Sequence, residues 1–182
     1  AKFAEFIGSV RDGGPIVVCG EDEALVNVAR STGRSILTYG FSEGCDARIE
    51  EYRPHGVGST FALVLPDGQR VEGSIKQNPG KHNVLNGAGV LTLCWALGIP
   101  VQEAAAKLAE FAGVKRRFDL VGETGGVTVV DDYAHHPTEI AATIKAAREL
   151  DFQRVIVLFQ PHRYSRVKLF TEVLRDEFAC AF

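Results

Sequence analysis

Two short apolar runs, "VTVV" (127–130) and "RVIVLF" (154–159), flank a helical stretch from Thr138 to about Leu150, and each run ends in a polar segment, "DDYAHHP" (131–137) and "QPHRYSR" (160–166). A strand, a helix and a strand of these lengths predict a parallel βαβ unit with a right-handed crossover. Ligands of open α/β sheets gather outside the carboxyl ends of the strands. The spacing therefore predicts that both polar runs face one crevice, and the fold class is expected to be α/β.

The upstream pattern agrees. "PIVVC" (15–19) reads as a short buried strand, a helix follows from Asp22 to Arg30 with acidic residues in its first turn, and Ser35 to Tyr39 reads as a second strand. Between Asp46 and Ile75 the pattern alternates, and Pro66-Asp67-Gly68 between "STFALVL" and "QRVEGSI" signals an antiparallel hairpin. Asn83 to Leu97 is apolar nearly all round and stops at Gly98, predicting a helix buried on several sides. A second helix, Val101 to Ala112, carries Val101, Ala105, Leu108 and Phe111 on one stripe. The run "GVKRRFDLVGETGG" (113–126) lacks strong periodicity and reads as an inter-domain connection, which places a boundary near Gly113.

Charge and cysteine usage exclude several classes. A net charge of -3 with no long Lys/Arg run leaves no footprint for nucleic acid. Cys19, Cys45, Cys94 and Cys180 form no C-x-x-C pair, so neither a zinc knuckle nor a disulfide framework is expected, and a reduced cytoplasmic setting fits. The longest apolar stretch, around Val90 to Leu97, is too short to span a bilayer, and no membrane partner is expected. The chain contains no methionine and closes on a helical pattern without a stop signal, as expected of a piece of a longer protein.

Three clusters could carry chemistry. In the first, Asp131, Asp132, Tyr133, His135 and His136 precede Pro137, the expected first helical residue, whose neighbouring amides could hold an anion. The structural alternative is that His136 caps the helix and Asp131 or Asp132 takes loop hydrogen bonds. The second cluster brings His162, Arg163 and Arg166; guanidinium forks suit a carboxylate or phosphate, while a solvated helix start is the alternative. The third, "NPGKHNVLN" (78–86), is no P-loop, because six residues separate Gly73 from Gly80 and His82 follows Lys81 where Ser or Thr is required. There His82, Asn83 and Asn86 could read the edge of a base, or Asn83 could simply be an N-cap. Adjacent His135 and His136 point apart and no H-x-x-x-H pair occurs, so no metal ligands are assigned.

"GKHNVLNGAG" (80–89), "GVKRRFD" (113–119), "DDYAHHPTEI" (131–140) and "FQPHRYSR" (159–166), in this order, resemble the Mur ligase family, over about Asn78 to Arg166. The resemblance implies that residues 1–113 are the later part of a central ATP-binding α/β domain with an antiparallel portion. It implies that residues 114–182 open a Rossmann-like C-terminal domain. The P-loop, the UDP-binding domain and most Mg2+ ligands would lie upstream, so this chain alone would be inactive. The implied reaction is ATP-dependent joining of L-alanine to UDP-N-acetylmuramate through an acyl phosphate, in peptidoglycan precursor synthesis. The residues carried over as holding ATP are His82, Asn83, Asn86, Arg117 and Asp132; His135 and Arg117 would be catalytic; Tyr133, His135, His162, Arg163 and Arg166 would bind substrate. Two rivals remain: the family member that recycles murein tripeptide, and a non-catalytic nucleotide-binding or interaction module.

Overall fold

The computed structural model describes residues 2–161 and 163–181, excluding the side chains of residues 166, 174 and 177–181. β1 (Val17–Cys19), β2 (Leu37–Gly40), β3 (Ala47–His55), β4 (Gly58–Val64) and β5 (Arg70–Ile75) form one sheet in that order. β1, β2 and β3 run parallel, whereas β3, β4 and β5 are antiparallel, with Ile49 opposite Leu63 and Phe61 opposite Gly73. Only two pairs join β2 to β3, Tyr39 with Ala47 and Gly40 with Arg48. Carboxylates secure that junction: Asp46 accepts from the Thr38 amide at 2.8 Å and its hydroxyl at 2.7 Å, and Glu21 accepts from the Phe41 amide at 2.8 Å and the Ser42 amide at 3.0 Å.

Helices close the layers. α1 (Lys2–Gly8) and α2 (Glu23–Ser31), the latter capped by Asp22, cover a small core of Ile7, Ile16, Val18, Val26 and Ala29. α3 (Lys81–Ala96) and α4 (Val101–Glu110) pack on the sheet, where Phe61, Leu63 and Leu65 meet Val84, Ala88, Leu91, Val101 and Ala105. The expectation that the helix of Asn83–Leu97 is buried on several sides needs correction. Val84, Gly87, Ala88, Leu91 and Thr92 are buried at helical spacing, whereas Val90, Leu93 and Leu97 are exposed. The sheet and α4 cover the helix on their sides and leave the stripe of Val90, Leu93 and Leu97 exposed.

Downstream the prediction fails in its pairing. β6 (Asp119–Thr124) lies inside the stretch expected to be a plain connection, and it pairs antiparallel with β7 (Val127–Asp131). Gly125 and Gly126 make the two-residue turn with φ of 57° and 76°, the left-handed conformation that such hairpins require. α5 (Pro137–Arg148) follows, then residues 154–159 without strand pairing, then α6 (Tyr164–Ala181). The parallel βαβ unit expected over residues 127–159 is therefore not formed, whereas β1, α2 and β2 upstream do form one. Residues 154–159 still behave like a strand in one respect. Val157 and Phe159 pack on Ile140 and Ile144 of α5, while Ile156 and Leu158 point outward at 75% and 98% exposure. Parallel strands are stable when covered on both faces, and here only one face is covered. Among the described residues no helix is long and apolar enough to cross a membrane.

Candidate functional site

The first turns of α3 form one wall of a cleft of about 590 Å³, and α5 forms the opposite wall. His82, Asn83 and Asn86 come from α3, Arg117 and Phe118 from the segment after α4, Asp132 from the loop after β7, and Thr138, Glu139 and Thr143 from α5. Ile75, Val90, Leu108 and Phe111 add apolar surface, and Gln77 and Asn78 add amides. A mostly apolar pocket of this size with a few convergent polar groups is the usual form of a small-molecule site.

Each polar wall is held by its own chemistry. Asn83 donates from Nδ2 to the Pro79 carbonyl at 3.1 Å and lies 2.9 Å from His82 Nε2. Burial lowers the His82 pKa below the ordinary imidazole value; the Asp132 and Glu149 carboxylates oppose that shift and Arg117 adds to it. A neutral ring accepting at Nε2 from Asn83 carries its proton on Nδ1. Asn83 is not the N-cap, because that position belongs to Gly80.

The segment after α4 is zipped onto the loop after β7. Asp132 accepts from the Phe118 amide at 2.8 Å and the Ala134 amide at 2.7 Å, and the Tyr133 amide donates to the Arg116 carbonyl at 2.8 Å. The Arg116 guanidinium lies 4.5 Å over the Tyr133 ring and 3.4 Å from Asp131. Asn78, Arg116 and Phe118 adopt left-handed backbone with φ of 80°, 61° and 48°. Such conformations cost about 1–3 kcal/mol each and cluster where surrounding structure overdetermines a site.

The start of α5 takes the capping alternative. His136 Nδ1 accepts from the Thr138 amide at 3.3 Å, Pro137 is the first helical residue, and Glu139 completes a capping box. Amides expected to face an anion thus already meet a carboxylate, with Glu139 Oε2 accepting from the His135 amide at 3.1 Å and the His136 amide at 3.3 Å. Burial acts to raise the Glu139 carboxyl, but these two amides, with His135 and Arg117, hold it below its ordinary value.

His82, Asn83, Asn86, Arg117 and Asp132 are thus brought together, from motifs far apart in sequence. His135 and Tyr133 stand beside the cleft rather than lining it. Their rings are 5.1 Å apart, and His135 Nδ1 lies 2.9 Å from the Tyr133 carbonyl. Arg163 is exposed with φ of 67°, immediately before α6, while His162 and the Arg166 side chain lie outside what is described. Among the described residues the two polar runs are not brought to one sheet edge, because residues 154–159 do not pair in the sheet with β7. Nearby, α5 packs on α6, and the His136 and Phe170 rings lie 5.0 Å apart. Asn78 and Glu139 also line the cleft and were not among the candidates read from the sequence; the available signal for Glu139 was its capping-box position three residues after His136. No group of three or more His, Cys, Asp or Glu able to hold a metal occurs among the described residues.

Residues 116–181 match the Mur ligase, glutamate ligase domain. The chain belongs to the Mur ligase family. Among curated proteins it is similar to the UDP-N-acetylmuramate–L-alanine ligase of Thermobifida fusca, at 42% identity over 99% of this chain and 39% of that protein. Among solved structures, MurF from Acinetobacter baumannii superimposes with a TM-score of 0.79 at 22% identity, over 96% of this chain and 38% of that one. The UDP-N-acetylmuramate-alanine ligase MurC from Thermotoga maritima gives 0.69 at 26% identity, over 91% of this chain and 41% of that one. The chain spans about two fifths of the length of the curated relatives it matches, 39% for the Thermobifida fusca protein and 38% for an Acidothermus cellulolyticus one.

Proposed function

We propose that this chain is the part of an ATP-dependent amide-bond ligase that holds the adenosine side of ATP and begins the amino-acid domain, the whole protein joining L-alanine to UDP-N-acetylmuramate in the cytoplasm. The observation that carries the reading is the meeting of His82, Asn83 and Asn86 with Arg117 and Asp132 around one cleft. The donor set fits the ligand: side-chain amides and a neutral imidazole suit a base edge, apolar side chains suit its faces, and Arg117 supplies positive charge for phosphate. In the same reading residues 1–113 are the later part of the central domain and 114–182 open the last one. His135, Tyr133, His162, Arg163 and Arg166 serve the amino acid and the sugar's carboxylate. When bound, ATP supplies the activating phosphoryl group, with Mg2+ held mainly by residues outside this chain.

Titrating the 182-residue chain with a non-hydrolysable ATP analogue by calorimetry tests the cleft. Saturable binding is expected, weakened about tenfold by Asn86→Ala, the scale of one lost hydrogen bond of about 1–2 kcal/mol. Equal binding by the variant and the parent would remove the adenosine assignment. With full-length protein, phosphate release that responds to murein tripeptide and not to L-alanine would assign the recycling activity instead.

A further inference from the structure

The Glu139 carboxylate lies between two parts of the proposed machinery. Its Oε1 lies 3.7 Å from Arg117 Nη1, which lines the cleft, and its Oε2 lies 3.8 Å from His135 Nδ1, beside it. The same Oε2 accepts from the amides of His135 and His136, which fixes the carboxylate to the backbone. Anchored so, it stays ionised at neutral pH, because its pKa lies below the ordinary carboxyl value although burial opposes this.

We propose that Glu139 is a positioning residue, whose charge orients Arg117 towards bound phosphate and holds the His135 turn beside it. This rests on the adenosine reading of the cleft. The competing explanation is that Glu139 merely completes the helix cap. Chemistry separates the two, because a capping box accepts Gln as well as Glu at this position. Glu139→Gln therefore keeps the cap and loses the charge.

The experiment measures affinity for a non-hydrolysable ATP analogue, together with the urea midpoint, in the 182-residue chain carrying Glu139→Gln, Arg117→Ala or both. The Glu139 and Arg117 side chains are 37% and 48% exposed, so solvent screens the pair and the expected effect is modest. Glu139→Gln is expected to weaken binding about three- to fivefold at low salt. It should leave the urea midpoint unchanged, have no further effect beside Arg117→Ala, and lose its effect at high ionic strength. Unchanged or tighter binding by Glu139→Gln, with Arg117→Ala still weakened, would overturn the positioning role alone. Arg117→Ala binding like the parent would overturn both this role and the phosphate assignment of Arg117. A midpoint that falls with Glu139→Gln while affinity holds would overturn the positioning role and leave the charge of Glu139 with a structural part only.

Discussion

Replacing Gly80 with alanine tests whether the cleft depends on the close seating of α5 on the start of α3. Gly80 has φ of 100° and ψ of 149°, a backbone region that residues with a Cβ scarcely enter. A Cβ there would come within 3.0 Å of the Ala146 Cβ on α5 and 2.9 Å of the His82 ring. The ring can rotate away, but Ala146 is 1% exposed and fixed on a helix. Backbone strain costs about 1–3 kcal/mol, and overpacking against a fixed neighbour about 1–3 kcal/mol. Partial relief by shifting α5 brings the expected loss to about 2–4 kcal/mol in urea unfolding followed by Trp95 fluorescence. The same shift should weaken binding of the ATP analogue, since it carries Thr138, Glu139 and Thr143 away from His82 and Asn86. Adding Ala146→Gly separates the contributions: it removes the contact with α5 but not the backbone strain, so it should restore binding more fully than stability. A Gly80→Ala protein within about 0.5 kcal/mol of the parent, with unchanged affinity, would refute the argument.

Tyr52→Phe keeps the ring that lies 6.1 Å from Phe41 and 5.8 Å from Lys81 Nζ, and removes the hydroxyl that donates to Glu149 at 2.9 Å. A loss of about 0.5–1.5 kcal/mol is expected, nearer the lower figure because Glu149 is exposed, with faster amide exchange at the end of α5; unaltered exchange would show that this bond ties nothing. His82 supplies a pH test. Its pKa is lowered in the folded chain, mainly by burial, so the unfolded chain takes up a proton first as pH falls. Its contribution is intact above about pH 6.5, the unperturbed imidazole value, and declines below that until the folded ring also protonates. His82→Gln should flatten this part of the acid limb in urea titrations, and an identical limb would rule out His82 as its source.

Local signals were legible wherever one face of an element meets the core. Pro66-Asp67-Gly68 marked the β4–β5 turn because Val71 and Ile75 alternate with exposed residues across it, giving the period-2 pattern its physical basis. β6 produced no such pattern because it buries neither face: Leu120 and Val121 are 54% and 65% exposed, so selection for a core leaves no alternation to read. Its turn was nevertheless written in Gly125-Gly126, a signal of backbone conformation and not of burial. Residues 154–159 show the converse. Their apolar pattern read as a strand, and Val157 and Phe159 do pack inward, but pairing depends on a neighbouring strand edge, which a strand's own residues do not specify.

The site divides along the same line. His82, Asn83 and Asn86 were legible as polar groups at the start of a helix and Asp132 as part of the polar run after a strand, whereas the ATP roles of these four and of Arg117 came through motif resemblance. Glu139 looks ordinary in sequence, since an acidic residue in the first turn of a helix is what the helix dipole favours anyway. Only the fold shows that its carboxylate also reaches Arg117 and the His135 side chain. A capping residue that also approaches two other charged or polar side chains is invisible to local pattern, because the cap alone accounts for its presence. The substitution that keeps the cap and removes the charge is therefore the informative one, and helix-stability measurements with alanine at this position would confound the two roles.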